Sequence, residues 1–131
     1  MKFFTSDTHF FHKELLKDKD FAPRDFDNIE DMHAAIIKNW NDRVTDRDTV
    51  YHLGDVALNF VRPEKRANEQ IFRLLNSLNG HIVLIKGNHD ARSLFKYLQA
   101  NNYLLNGQSK FQFHDVGTII KMNHRQLIMS H

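Results

Sequence analysis

Four short polar clusters in this chain carry the residue types of metal chemistry. They are Asp7-Thr8-His9, Gly54-Asp55, Gly87-Asn88-His89-Asp90 and Ser130-His131. Carboxylates, imidazoles and an amide oxygen, with no thiolate among them, suit Mn, Fe or Zn better than a soft metal. Asp7 and His9 are two residues apart, so on an extended segment both would point the same way. A carboxylate such as Asp55 can bridge two cations through its two oxygens. Gly54 and Gly87 permit tight turns that bring backbone close to an ion or a phosphate. Two cations roughly 3.5–4 Å apart would form a two-metal hydrolytic centre. Taken singly, Asp7, His9, Asp55 and Asn88 each read more simply as a cap or turn residue. The ordered set is what points to metal.

Each cluster follows a stretch that reads as a strand. Lys2 to Ser6 is expected to be a short buried strand. Asp27-Asn28-Ile29-Glu30 resembles a helix start, with an Asp cap and a Glu three residues on. Ile29, Met32, Ile36, Ile37, Trp40 and Val44 then fall at helical spacing, giving an amphipathic helix to about Asp42. Thr49 to Leu53 is a strand. Pro63 suits the first turn of a second helix, whose apolar face is Ile71, Leu74, Leu75 and Leu78, and Asn79-Gly80 stops it. His81 to Lys86 is apolar enough for a central strand buried on both faces. A third helix covers Ala91 to Ala100. Beyond it the pattern changes to antiparallel β, through Phe111 and Phe113, Thr118 to Met122 and Gln126 to Ser130, with a turn at Asn123-His124-Arg125. In an open α/β sheet, ligands gather outside the carboxyl ends of the strands. The clusters therefore face one rim.

The ordered clusters resemble the calcineurin-like metallophosphoesterases. That family's pattern is Asp-x-His, Gly-Asp, Gly-Asn-His-Asp/Glu, a lone His, then Gly-His-x-His. Asp7/His9, Gly54-Asp55, Gly87-Asn88-His89-Asp90 and His131 match the first four elements. Ser6-Asp7-Thr8-His9-Phe10, Asn39-Trp40-Asn41 and Tyr51-His52-Leu53-Gly54-Asp55 look like the small single-domain members of bacteria and phages. The resemblance implies an α/β fold of the αββα type, a β-sandwich flanked by helices. It implies that Asp7 and His9 hold a first metal, Asp55 bridges, and Asn88 and His131 hold a second. His89 would contact the phosphoryl oxygens or protonate the leaving group. A bridging hydroxide would attack phosphorus in line, giving a phosphodiesterase or phosphomonoesterase, with Mn the metal expected in vitro. The Gly-His-x-His element is absent. The chain is accordingly expected to be a single domain over 1–131, truncated at its C-terminus with its last strands incomplete. The competing reading is a catalytically impaired remnant that acts as a binding module.

Other residues stay two-sided. His12 could reach substrate phosphate, or be a surface or capping residue. His52 could orient a ligand carboxylate from behind, or be a packed, hydrogen-bonded histidine. Asp90 could support a ligand or cap the third helix. Arg24 and Arg92 could meet an anionic substrate or be solvated. His33, His81, His114 and His124 read as structural or exposed, and Trp40 and the Phe residues as core.

Composition narrows the class. The length, 131 residues, suits one domain with a proper core. Zero Cys removes disulfides, thiolate zinc sites and cysteine nucleophiles, and fits a reducing compartment. No apolar run is long enough for a membrane span, and the N-terminus turns polar too soon for a signal peptide. A cytoplasmic location is expected. The net charge is +2 with Lys and Arg scattered, unlike a nucleic-acid footprint. Expected partners are a small phosphorylated substrate or nucleotide, with nucleic acid as a substrate only and no membrane. An open sheet edge would invite a homodimer.

Overall fold

The structure, a computed structural model, describes residues 1–12, 28–59, 61–85, 92–114, 118–122 and 125–129. Four parallel strands form the main sheet: β1 (Lys2–Thr5), β2 (Thr49–His52), β3 (His81–Ile85) and β6 (Phe111–His114), in that spatial order. Three helices connect them: α1 (Ile29–Arg43), α2 (Glu64–Asn76) and α3 (Arg92–Ala100). Two small antiparallel pairs complete the description. One is β4 (Leu104–Leu105) with β5 (Gln108–Ser109); the other is β7 (Thr118–Met122) with β8 (Arg125–Met129). The architecture is mixed α/β, a parallel sheet flanked by helices.

Burial explains the layering. Successive side chains of β3 point to opposite faces, and all five are buried. Ile82 and Leu84 join a large cluster with Leu74, Leu75 and Leu78 near the end of α2, Leu94, Phe95 and Leu98 of α3, and Phe111. Ile36, Ile37 and Trp40 of α1 pack on the same cluster. All three helices therefore cover one face. Val83 and Ile85 join Tyr51 in a smaller cluster on the other face. The reading of His81 onward as a strand buried on both sides holds.

Three expectations change. β1 is not buried; its residues alternate exposed and half-buried, because among the described residues it lies at the sheet edge and pairs only with β2. The first helix is capped by Asn28, whose side chain accepts from the Asp31 N–H at 2.8 Å. Phe111 to His114 joins the parallel sheet beside β3 rather than an antiparallel tail. The reason is α3, which returns the chain so that a strand after it enters in the same direction as β3. Antiparallel pairing is confined to the short β4–β5 hairpin before β6 and to β7 with β8 after it, among the described residues. The hairpin of β4 and β5 turns on Asn106 and Gly107, both at positive φ, the residue pair such a two-residue turn favours.

The strand starts are tied by polar contacts below the sheet. The Trp40 indole N–H donates to the Asn79 carbonyl at 2.9 Å. Asn41 donates to the Ser77 carbonyl and accepts from the Asn79 N–H, each at 2.8 Å. Lys110, 2% exposed, donates to the carbonyls of Leu78 and Gly80. Burial pulls its ammonium down to about 8; a neutral amine still has hydrogens for both carbonyls. Gly80 sits at φ +86°, and a Cβ there would lie 2.9 Å from both the Asp48 carbonyl oxygen and Val44 Cγ1. Gly80→Ala is expected to destabilise the fold by more than about 1 kcal/mol. A lowered urea midpoint with unchanged slope would show it.

Candidate metal centre

The site begins where β1 and β2 end. Their pairing does not stop with the strands. The Leu53 N–H donates to Thr5 O at 2.8 Å, Asp7 N–H to Gly54 O at 2.9 Å and His9 N–H to Asp55 O at 3.0 Å. Phe10 N–H then donates to Val56 O, and Leu58 N–H to Phe10 O, each at 2.9 Å. The backbone between is not extended. Asp7, His9 and Asp55 have φ of 55°, 50° and 54°, followed by Phe11 at 65°. Among the described residues these are four of the five non-glycine positions at positive φ. Such conformations cost about 1–3 kcal/mol each and gather at functional sites. Asp7 and His9 do converge, as expected from their spacing. They do so through two left-handed kinks rather than the alternation of a strand.

Asp7, His9 and Asp55 each offer one ligand atom within 4.8 Å of the others. His9 Nε2 lies 3.6 Å from Asp7 Oδ1 and 3.8 Å from Asp55 Oδ2. Those separations are long for hydrogen bonds. They match the roughly 3–4 Å between neighbouring donors that each sit about 2.1 Å from a shared ion. Two carboxylates and one imidazole are also a donor set that divalent Mn, Fe or Zn accepts. The residues fit a cation. Asp55 is 5% exposed, whereas the Asp7 side chain is 51% exposed. One carboxylate is thus set in the protein and the other opens to solvent.

A buried network holds the kinks. The Thr8 hydroxyl donates to the Val56 carbonyl at 2.8 Å and stands 2.9 Å from His52 Nε2. Having given its hydrogen to Val56, the hydroxyl accepts from His52. The proton of His52 is therefore on Nε2, and its Nδ1 accepts from the Gly54 N–H at 3.2 Å. His52, 1% exposed, is a packed and hydrogen-bonded residue that joins the Asp7–His9 turn to the Gly54–Asp55 turn. His12 is beside the cluster, with its Nδ1 3.1 Å from His9 Nδ1. His33 reaches in from α1, its Nε2 accepting from the Phe11 N–H at 2.8 Å. Its ring meets Phe11 edge-on, centroids 4.5 Å apart.

Of the residues singled out in the sequence, Asp7, His9, Asp55, His12 and His52 come together here. Asn88, His89, Asp90, His131 and Arg24 lie outside the described residues. Arg92 is exposed at the start of α3. The part played by Thr8 escaped the sequence reading, although its place between two candidate ligand types was a signal. His33, read as structural or exposed, is structural: it is buried, and its partner is a backbone N–H distant in sequence.

A parallel α/β sheet with two carboxylates and an imidazole gathered at the carboxyl ends of its strands defines a class of candidate metal sites. Comparison with known proteins narrows it. The calcineurin-like phosphoesterase family model matches residues 3–129, and the chain belongs to that family. The chain is 40% identical over 124 residues to the uncharacterized protein MJ1445 of Methanocaldococcus jannaschii, covering 91% of this chain and 66% of that protein. It is 33% identical over 87 residues to the gene 66 protein of Mycobacterium phage L5, covering 66% of this chain and 38% of that one. The crystal structure of the protein of unknown function AQ665 from Aquifex aeolicus superposes with a TM-score of 0.67 at 25% identity. That match covers 100% of this chain and 60% of the other. The chain thus spans two thirds or less of the length of these relatives. Among the described residues, no helix is long and apolar enough to cross a membrane.

His33 supplies a test of the loop that follows the cluster. Burial holds its imidazole below the ordinary value of 6.5, with Glu30 partly opposing. On acidification the unfolded chain takes a proton at His33 that the folded chain resists, so stability falls as pH drops below about 6.5 and towards the folded pKa. His33→Gln should lower the urea midpoint at about pH 7 and flatten its decline towards about pH 5.

Proposed function

We propose that the chain is a metal-dependent phosphoesterase acting on a phosphodiester or phosphomonoester of a small phosphorylated molecule or nucleotide. The observation that carries this is the Asp7–His9–Asp55 cluster at the rim of the parallel sheet, in a chain of the calcineurin-like phosphoesterase family. Asp7 and His9 are assigned to one cation. Asp55 is assigned between that cation and a second, and Asn88 and His131 to the second. His89 is assigned to the phosphoryl oxygens or the leaving group. Bound cations, Mn²⁺ for an assay, would supply an acidified water and offset charge on the phosphoryl oxygens.

The chain's own part is positioning. The paired backbones hold the Asp7–His9 turn against Gly54-Asp55. The Thr8–His52–Gly54 network holds the two turns against each other through the protein's own hydrogen bonds, which is the positioning that such a site needs. Burial of Asp55 keeps water from one side of the cluster, where charge interactions gain strength. Exposure of Asp7 leaves the other side open to an incoming phosphate.

The test is hydrolysis of bis-p-nitrophenyl phosphate and p-nitrophenyl phosphate with Mn²⁺ and with chelator. Turnover should require the metal, and Asp55→Asn should reduce it at least about 100-fold while circular dichroism is unchanged. Full activity in Asp55→Asn, or full activity in chelator, would overturn the assignment. A folded wild-type chain without turnover in any divalent metal would instead point to a phosphoesterase fold kept for binding.

A further inference from the structure

The His9 and His12 rings meet with centroids 5.2 Å apart and planes tilted by 38°. Their Nδ1 atoms are 3.1 Å apart. At that distance two bare nitrogens repel and two N–H groups collide, so one ring donates and the other accepts. The opposite edge of His9 decides which. Its Nε2 is the atom facing Asp7 Oδ1 and Asp55 Oδ2. A cation held there uses the Nε2 lone pair, and a neutral imidazole with a bare Nε2 carries its proton on Nδ1. His9 is then the donor and His12 the acceptor. The main chain sets the pair: the His12 N–H donates to the His9 carbonyl at 3.1 Å, one tight turn that brings the two side chains together.

We infer that His12 is a positioning residue for the metal ligand His9, accepting the His9 Nδ1 proton and thereby fixing the tautomer and ring orientation that present Nε2 to a cation. The inference rests on the reading that the cluster holds a divalent cation. It commits the His12 Nδ1 to the edge of His9 that faces away from the carboxylates. An acceptor behind a ligating imidazole also raises its basicity, and loss of such a partner typically costs 10–100-fold in metal affinity.

Three proteins test it: the wild type, His12→Phe, which keeps a ring without an acceptor, and His12→Asn, whose amide oxygen can take the place of Nδ1. Mn²⁺ affinity is read by calorimetry, and ring tautomers by ¹⁵N NMR of the chain loaded with diamagnetic Zn²⁺. The wild type should show a proton on His9 Nδ1 and a bare Nδ1 on His12. Mn²⁺ affinity should fall about 10–100-fold in His12→Phe and return towards wild type in His12→Asn. A protonated, donating Nδ1 on His12 would overturn the inference. So would Mn²⁺ binding by His12→Phe at wild-type affinity, or a loss that His12→Asn does not restore. A folded wild type that binds no divalent cation would overturn the phosphoesterase reading and this inference together.

Discussion

The site depends on one constraint: the β1–β2 pairing continues beyond both strands. Five backbone hydrogen bonds from Thr5 O to Phe10 O run between the segments after β1 and β2. Any ordinary turn after β1 would end that pairing and release Asp7 from Asp55. Left-handed residues let the chain change direction while its amides stay in register. A βαβ unit thus delivers candidate ligands from two segments nearly fifty residues apart to one point. The sheet's role is to make that register unambiguous. β2 has neighbours on both sides, and a slip of one residue would turn its buried side chains to the wrong face.

Holding non-glycine residues at positive φ costs energy, and the surroundings must supply it. The burial of Thr8, His52 and Asp55 shows how. Each hydrogen bond in that group has a polar partner that would otherwise be stranded without water, which costs about 1–3 kcal/mol. Straightening the Asp7–His9 segment would break the Thr8 bonds to Val56 and His52 together. His33 adds a brace from α1 through the Phe11 amide. The candidate ligands are therefore set by side chains bonded to the backbone and to one another.

Much of this was legible in the residues. The apolar run from Ile82 to Ile85, the helical spacing of α1 and α2 and the polar clusters at strand ends all express local rules of burial and turn chemistry. What was not legible needed tertiary information. The exposure of β1 follows from its place at the edge, which no property of Lys2 to Thr5 specifies. Phe111 and Phe113 alternate as either a parallel or an antiparallel strand would, so direction came from α3 alone. Asn28 rather than Asp27 as cap is a choice between two good capping residues. The Asn106-Gly107 turn had a clear local signal that went unread. Within the site, ligand types were visible at Asp7, His9 and Asp55, while the roles of Thr8, His52 and His33 emerge only from who stands beside them.

The edge position of β1 has a thermodynamic consequence. Among the described residues β1 has one neighbour; a strand so placed opens more readily than a central one, and two of the three clustered residues follow directly from it, with the third following β2. Any ligand gripping Asp7 and His9 on one side and Asp55 on the other binds only while β1 is docked. Its binding free energy is then added to the stability of that strand. Occupancy of the cluster and protection of the β1 amides from solvent exchange become one equilibrium seen from two ends.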